Sequence, residues 1–134
     1  MTVRFITLGL VGALLTLAGC DRPADLAHGQ SLYGVCAGCH KLRENWTGPQ
    51  HCWLVGRSAG TVPGFVYSQA VKESGLTWDE KTLDQFLTMP LSFLPGTKMG
   101  FIGYRDKKDR TDLIAYLKTH TADPQACAGI DKPL

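Results

Sequence analysis

An all-α fold is predicted by three observations. Apolar residues recur at helical spacing in three stretches, Leu26 to Tyr33, Leu83 to Leu87 and Leu113 to Leu117. A residue suited to capping precedes each stretch, and no run of strand length alternates apolar with polar side chains. Gly and Pro crowd the segments between, which breaks any regular period there.

From Asp25, which is suited to cap, Leu26, Gly29, Leu32 and Tyr33 lie on one helical face that leads into Cys36. Residues 41–65 read as loop, because Gly48, Pro49, Gly56, Gly60, Pro63 and Gly64 interrupt them. Tyr67 to Ser74 has the length of a two-turn helix, stopped by Gly75. Thr77-x-x-Glu80 has the form of a capping box, and Leu83, Phe86 and Leu87 follow on one face until Pro90 ends the helix and a second loop begins. Asp106 is suited to cap the last helix. There Leu113, Tyr116 and Leu117 form an apolar stripe, and Lys118 late in the helix suits the helix dipole.

The 134 residues carry 14 basic and 12 acidic side chains, which bounds the chain to one domain with near-neutral charge. Nucleic acid is not an expected partner. The Lys and Arg residues are interleaved with Asp and Glu, and no clustered basic face or recognition motif is evident.

The amino terminus has the features of an export signal: a short basic start at Met1 to Arg4, an apolar run from Phe5 to Ala18, and the small-residue sequence Leu17-Ala18-Gly19-Cys20. A membrane-spanning helix needs about 20 apolar residues, so a cleaved leader is favoured over a permanent anchor. Leu-Ala-Gly-Cys resembles a bacterial lipobox, which implies cleavage before Cys20 and acylation of that cysteine; an ordinary signal peptide cut nearby is the alternative. Asp21 resembles the residue that retains enterobacterial lipoproteins at the inner membrane. The expected organisation is therefore a leader at 1–19, a tether at 20–24, a domain at 25–120 and a tail at 121–134. A tether this short reaches at most roughly 15–18 Å, which would keep the domain close to the lipid.

Cys36-Ala37-Gly38-Cys39-His40 carries the chemistry. Two thiols three residues apart face one way on a helix and are placed to add to the two vinyl groups on one edge of a porphyrin, while the adjacent imidazole reaches the iron. This is the pattern of covalent haem c attachment. A thioredoxin-like dithiol would need a preceding strand and a βαβ context, and a zinc site would need a second ligand pair at matching spacing; the sequence has neither. Being neutral at working pH, His40 can give one nitrogen to the metal while the other donates to a carbonyl that orients the ring.

The order of further markers resembles the class I cytochromes c of mitochondrial and purple-bacterial type, from about Gly29 to His120. These markers are Gly29 and Tyr33, Thr47-Gly48-Pro49, Gly56-Arg57, Pro63-Gly64-Phe65 with Tyr67, Thr77-Trp78, Pro95-Gly96-Thr97-Lys98-Met99 and Asp112-Leu113-Ile114-Ala115-Tyr116-Leu117-Lys118. The resemblance implies short helices wrapped around one haem, with the first and last helices crossing where Gly29 lets Tyr116 approach. It implies Met99 as the second axial ligand, a soft thioether that raises the reduction potential and closes the coordination sphere. By the same resemblance Arg57, Tyr67, Trp78 and Thr97 donate to the haem propionates, and the carbonyl of Pro49 accepts from His40. A methionine more often fills a core, but the Pro-Gly-Thr-Lys context selects ligation for Met99.

The departures from the family are informative. Where relatives carry Asn-Leu-His-Gly after Thr-Gly-Pro, this chain has Gln50-His51-Cys52-Trp53, which replaces an apolar residue under the haem and a small glycine. For His51, His28 and His120 the expected state is a solvated or hydrogen-bonded side chain rather than a metal ligand. Of five cysteines, lipid and haem account for three, leaving Cys52 and Cys127 in an oxidising compartment. The family fold brings the Cys52 segment near the end of the last helix, so a disulfide there would pin the tail. Leu91-Ser92-Phe93-Leu94 is nearly apolar where relatives that meet acidic partners often carry lysines, leaving Lys98 and Lys41 to supply charge near the haem edge.

The expected activity is single-electron transfer by a membrane-tethered carrier at the periplasmic face of a bacterial inner membrane, or by a free periplasmic one if the lipobox is not used. The expected partners are a quinol-oxidising complex and a terminal oxidase or reductase. Two other classes remain in view. One is a fixed haem subunit of a larger respiratory complex; the other is a gas sensor or peroxidase-like enzyme, which would need a displaceable axial ligand.

Overall fold

The computed structural model describes residues 22–132. The expected leader, Cys20 and Asp21 lie outside the described residues, as do Pro133 and Leu134. Five helices follow in order: α1 (Leu26–Ala37), α2 (Gln69–Glu73), α3 (Glu80–Thr88), α4 (Pro90–Phe93) and α5 (Lys107–His120). Among the described residues there is no strand, only an isolated bridge between Ser58 and Thr77. No described helix is long and apolar enough to cross a membrane.

The caps explain most of the boundaries. Asp25 opens α1 by accepting from the amides of Ala27 and His28. Asp106 does the same for α5 at Lys108 and Asp109. Helix α2 is shorter than the 67–74 expected, because Ser68 turns extended and caps it by accepting from the Val71 amide. That leaves Tyr67 outside the helix. The capping box of α3 is formed by Asp79 and Thr82, not by Thr77 and Glu80. The Thr82 amide donates to Asp79 Oδ1 (2.7 Å) and the Asp79 amide donates to Thr82 Oγ1 (2.9 Å). Thr77 lies two residues before the cap, bridged to Ser58, and its carbonyl accepts from the Asp79 amide (2.9 Å). Pro90 does not open a loop as expected. It stands at the first position of α4, where its missing N–H costs nothing, and it is fully buried.

Helices α1 and α5 form the main packing pair. They approach so closely at Gly29 that a Cβ there would lie 2.2 Å from the Asp112 carbonyl oxygen and 2.9 Å from Tyr116 Cβ. The expected Tyr116 contact is therefore present, but the backbone of α5 is the nearer obstacle. Beside it, the Asp112 carboxylate accepts from Lys108 Nζ, from the Asp25 amide (2.9 Å) and from His28 Nδ1 (2.9 Å), which ties the start of α1 to α5. Burial alone would raise this carboxyl, but the donors outweigh it and hold the group well below the usual carboxylate range. Tyr33, Leu54, Leu83, Leu87, Leu113, Ile114 and Leu117 form the core.

The tail folds back on the loop after His40. Cys52 and Cys127 are joined by a disulfide, with their Cα atoms 5.6 Å apart. Arg43 donates to the carbonyls of Ala126 and Ala128, and Trp53 Nε1 donates to that of Ile130 (2.8 Å). Trp53 has φ +58°, a left-handed conformation that strains a bulky residue. Its amide bond to Thr121 O (2.7 Å) and its indole bond to the tail hold it there.

Candidate haem-binding site

A cleft of about 490 Å³ opens beside the core, within the range of small-molecule and cofactor sites. It is lined by every residue the sequence proposed for the cofactor: Cys36, Cys39, His40 and Pro49, Arg57 with Tyr67, Trp78 and Thr97, and Met99. Leu54, Phe65, Leu83, Phe86, Leu87 and Phe101 supply much of its apolar wall.

The thiols come from the end of α1. Cys36 lies in the last turn, and Cys39 follows in a tight turn whose amide donates to Cys36 O (3.0 Å), as does the amide of His40 (2.8 Å). Both thiols are free, although Cys52 and Cys127 are oxidised. Burial pushes the Cys36 thiol up to about 11, with the neighbouring Cys39 adding to the shift.

Backbone on two sides fixes the ring of His40. Its Nδ1 lies 2.9 Å from Pro49 O and donates to it, which leaves Nε2 as the ligating nitrogen. Gly48 is required at its position, since a Cβ there would sit 2.4 Å from His40 Cε1. Burial lowers the imidazole below its ordinary value, and Arg57 acts in the same sense, so the ring is neutral and able to coordinate at neutral pH.

Paired backbone segments bring the donors for an anion together. The Trp78 amide donates to Arg57 O and the Gly56 amide to Trp78 O, both at 2.9 Å, so residues far apart in sequence meet at the cleft. Arg57 is only 4% exposed. Its guanidinium donates to the carbonyls of Cys52 (2.7 Å) and Gln50 (3.0 Å), and among the described residues no carboxylate pairs with it. A buried cation with spare N–H groups calls for an anion in the cleft. Met99 lies in the same lining, its amide donating to Thr97 Oγ1 (3.4 Å).

The comparisons with known proteins agree with this geometry. The Cytochrome c family model matches residues 26–121. Cytochrome c2 of Rhodomicrobium vannielii is 41% identical over 121 residues, covering 87% of this chain and 97% of the relative. The chain belongs to the cytochrome c family. Cytochrome c of Euglena viridis is 45% identical over 98 residues, covering 71% of this chain and 96% of the relative. Among solved structures, cytochrome cH from Methylobacterium extorquens is similar with a TM-score of 0.69 and 44% identity, covering 71% of this chain and 98% of that one. The fold is that of the class I cytochromes c, whose members carry covalently bound haem c and act as electron carriers rather than enzymes.

The residues present fit that group: an apolar cleft, two free thiols at its edge, a neutral imidazole with one nitrogen available, and a buried guanidinium without a carboxylate. The histidines outside the motif have separate places. His28 bonds to Asp112, and His120 stacks on Tyr116 with centroids 4.9 Å apart. His51 is not solvated. It is 8% exposed and lies in the cleft against His40, a placement the sequence signalled only by departing from an apolar residue.

Proposed function

We propose that this electron-transfer cytochrome works through a low-spin haem held by Cys36 and Cys39, with His40 and Met99 as axial ligands. When bound, the haem supplies an iron that cycles between ferric and ferrous states. The observation that carries this reading is the convergence of both thiols, His40 and Met99 on one apolar cleft. The chain's own residues bind, orient and exclude water. Pro49 orients His40, and the Met99 thioether would be the second iron ligand, which would leave no site open for substrate. Arg57, Tyr67, Trp78 and Thr97 compensate the propionates.

The carrier is lipid-anchored through Cys20 after removal of residues 1–19, with 20–24 as tether, 25–120 as the haem domain and 121–134 as a tail. It works at the periplasmic face of the inner membrane, between a quinol-oxidising complex and a terminal oxidase or reductase. The short tether raises its local concentration at these partners.

Optical spectra of the matured protein in both redox states test the ligand set. The wild type is expected to show the weak far-red band of a methionine–iron bond in the oxidised form, and Met99→Ala to lose it while keeping the covalent haem. A wild-type spectrum without that band, or one that Met99→Ala leaves unchanged, would count against the reading. The anchor is tested separately: Cys20→Ser should move the protein from the membrane fraction to the soluble one.

A further inference from the structure

His51 stacks on His40 with ring centroids 4.3 Å apart and planes inclined by 18°. The stack has its own support. His51 Nδ1 lies 3.2 Å from the Tyr33 hydroxyl, and Tyr33 is in turn packed against Tyr116 and His120, with centroids 5.5 Å and 5.3 Å away. The His51 amide donates to Lys41 O (3.0 Å), so the two histidines belong to one hydrogen-bonded loop. Neither ring can turn out of the stack without breaking the Pro49 or the Tyr33 contact.

We propose that His51 is a positioning residue for His40: its stacked, Tyr33-anchored imidazole sets the plane of the ligand ring and lowers the reduction potential relative to an apolar side chain. This rests on His40 being the iron ligand. Two physical effects are involved. Rotation of His40 about its side-chain bonds is blocked by Gly48 and by the face of the His51 ring. A polar ring in place of an apolar one also favours the more positive oxidised state, since an apolar shell favours the reduced one.

The test uses the matured, haem-containing protein and measures the midpoint potential and the spread of the haem methyl NMR shifts in the oxidised form. His51→Leu is expected to raise the potential, so that at fixed ambient potential the reduced-to-oxidised ratio rises on the order of three- to tenfold. It should also change the methyl spread, which reports the orientation of the ligand plane. His51→Phe keeps a ring on His40 and should raise the potential while preserving the spread. Tyr33→Phe should reproduce part of the His51→Leu change, and it carries the test with His51→Phe if His51→Leu fails to mature. An unchanged or lowered potential in His51→Phe, or an unchanged methyl spread in a folded His51→Leu, would overturn the proposal. Failure of the underlying reading shows differently: a His40→Ala protein that still gives a six-coordinate low-spin spectrum would remove the ligand assignment itself.

Discussion

The two segments that present the expected axial ligands are built to different standards. Around His40 the chain is tied at close intervals: His40 to Cys36 O, Gly48 to Cys39 O, His51 to Lys41 O and Cys52 to Leu42 O, with the Cys52–Cys127 bond and the tail behind them. Around Met99 the ties are sparse. Among the described residues, the amides from Lys98 to Gly103 make one hydrogen bond, from Met99 to Thr97 Oγ1, before Tyr104 rejoins α3 at Leu87 O. Local opening follows the density of such contacts, so the Met99 segment is the part of this cytochrome that opens first. The comparison teaches that the polypeptide fixes the expected ligand His40 closely and ties the segment of Met99 more loosely.

The largest test of this difference is to weaken the strong side. Replacing Cys52 and Cys127 together with Ala opens a closed loop with a sequence separation of 75, and should cost about 2–4 kcal/mol of unfolding free energy. Hydrogen exchange in residues 40–57 should then rise toward the rates of 98–103; if it stays slow, the hydrogen bonds alone hold the loop. A smaller effect is expected from Gly48→Ala, whose new methyl meets the His40 ring. Overpacking of this kind costs about 1–3 kcal/mol, and thermal melts together with the haem spectrum would detect it.

Acid should act away from both ligand segments, at the junction of α1 and α5. Asp112 has a folded value held far below its ordinary 3.8, so its stabilisation is complete above that value and fades as pH falls below it. Stability curves should therefore bend downward below pH 3.8 in the wild type and less so in Asp112→Asn; equal slopes in this window would assign the acid limb to other carboxylates. The smallest effect concerns docking. Val66, Ile102 and Leu91 are exposed apolar side chains, at 77%, 79% and 53%. With few charges to steer the encounter, electron-transfer rates should change less than about threefold between low and physiological salt. A fall by orders of magnitude would show that charges such as Lys98 govern association.

Much of this was legible in the residues. The 3.6-residue spacing and the Asp25 and Asp106 caps locate α1 and α5, and the three reactive groups of the Cys-Ala-Gly-Cys-His pattern all line the cleft. The errors were local and have physical causes. Two pairs at the same i, i+3 spacing could cap α3, and the helix starts at Glu80 with the Asp79–Thr82 pair formed. Pro90 does end the preceding helix, as read, but α4 and not a loop follows, because proline begins helices as well as ending them. His51 takes the hydrogen-bonded one of its two expected states, on Tyr33, but nothing in its neighbours along the chain marks it as stacked on His40.

By itself, the sequence determined the helical class, the family, and which side chains are chemically able to hold a haem, because periodicity, caps and thiol–imidazole spacing are properties of neighbouring residues. Tertiary structure alone decided that the His51 ring faces His40, that Arg57 is buried with its guanidinium on the carbonyls of Cys52 and Gln50, and that Trp53 takes a left-handed backbone under the tail. These depend on contacts between segments brought together from far along the chain, and their energies exist only once the backbone has closed around the cleft.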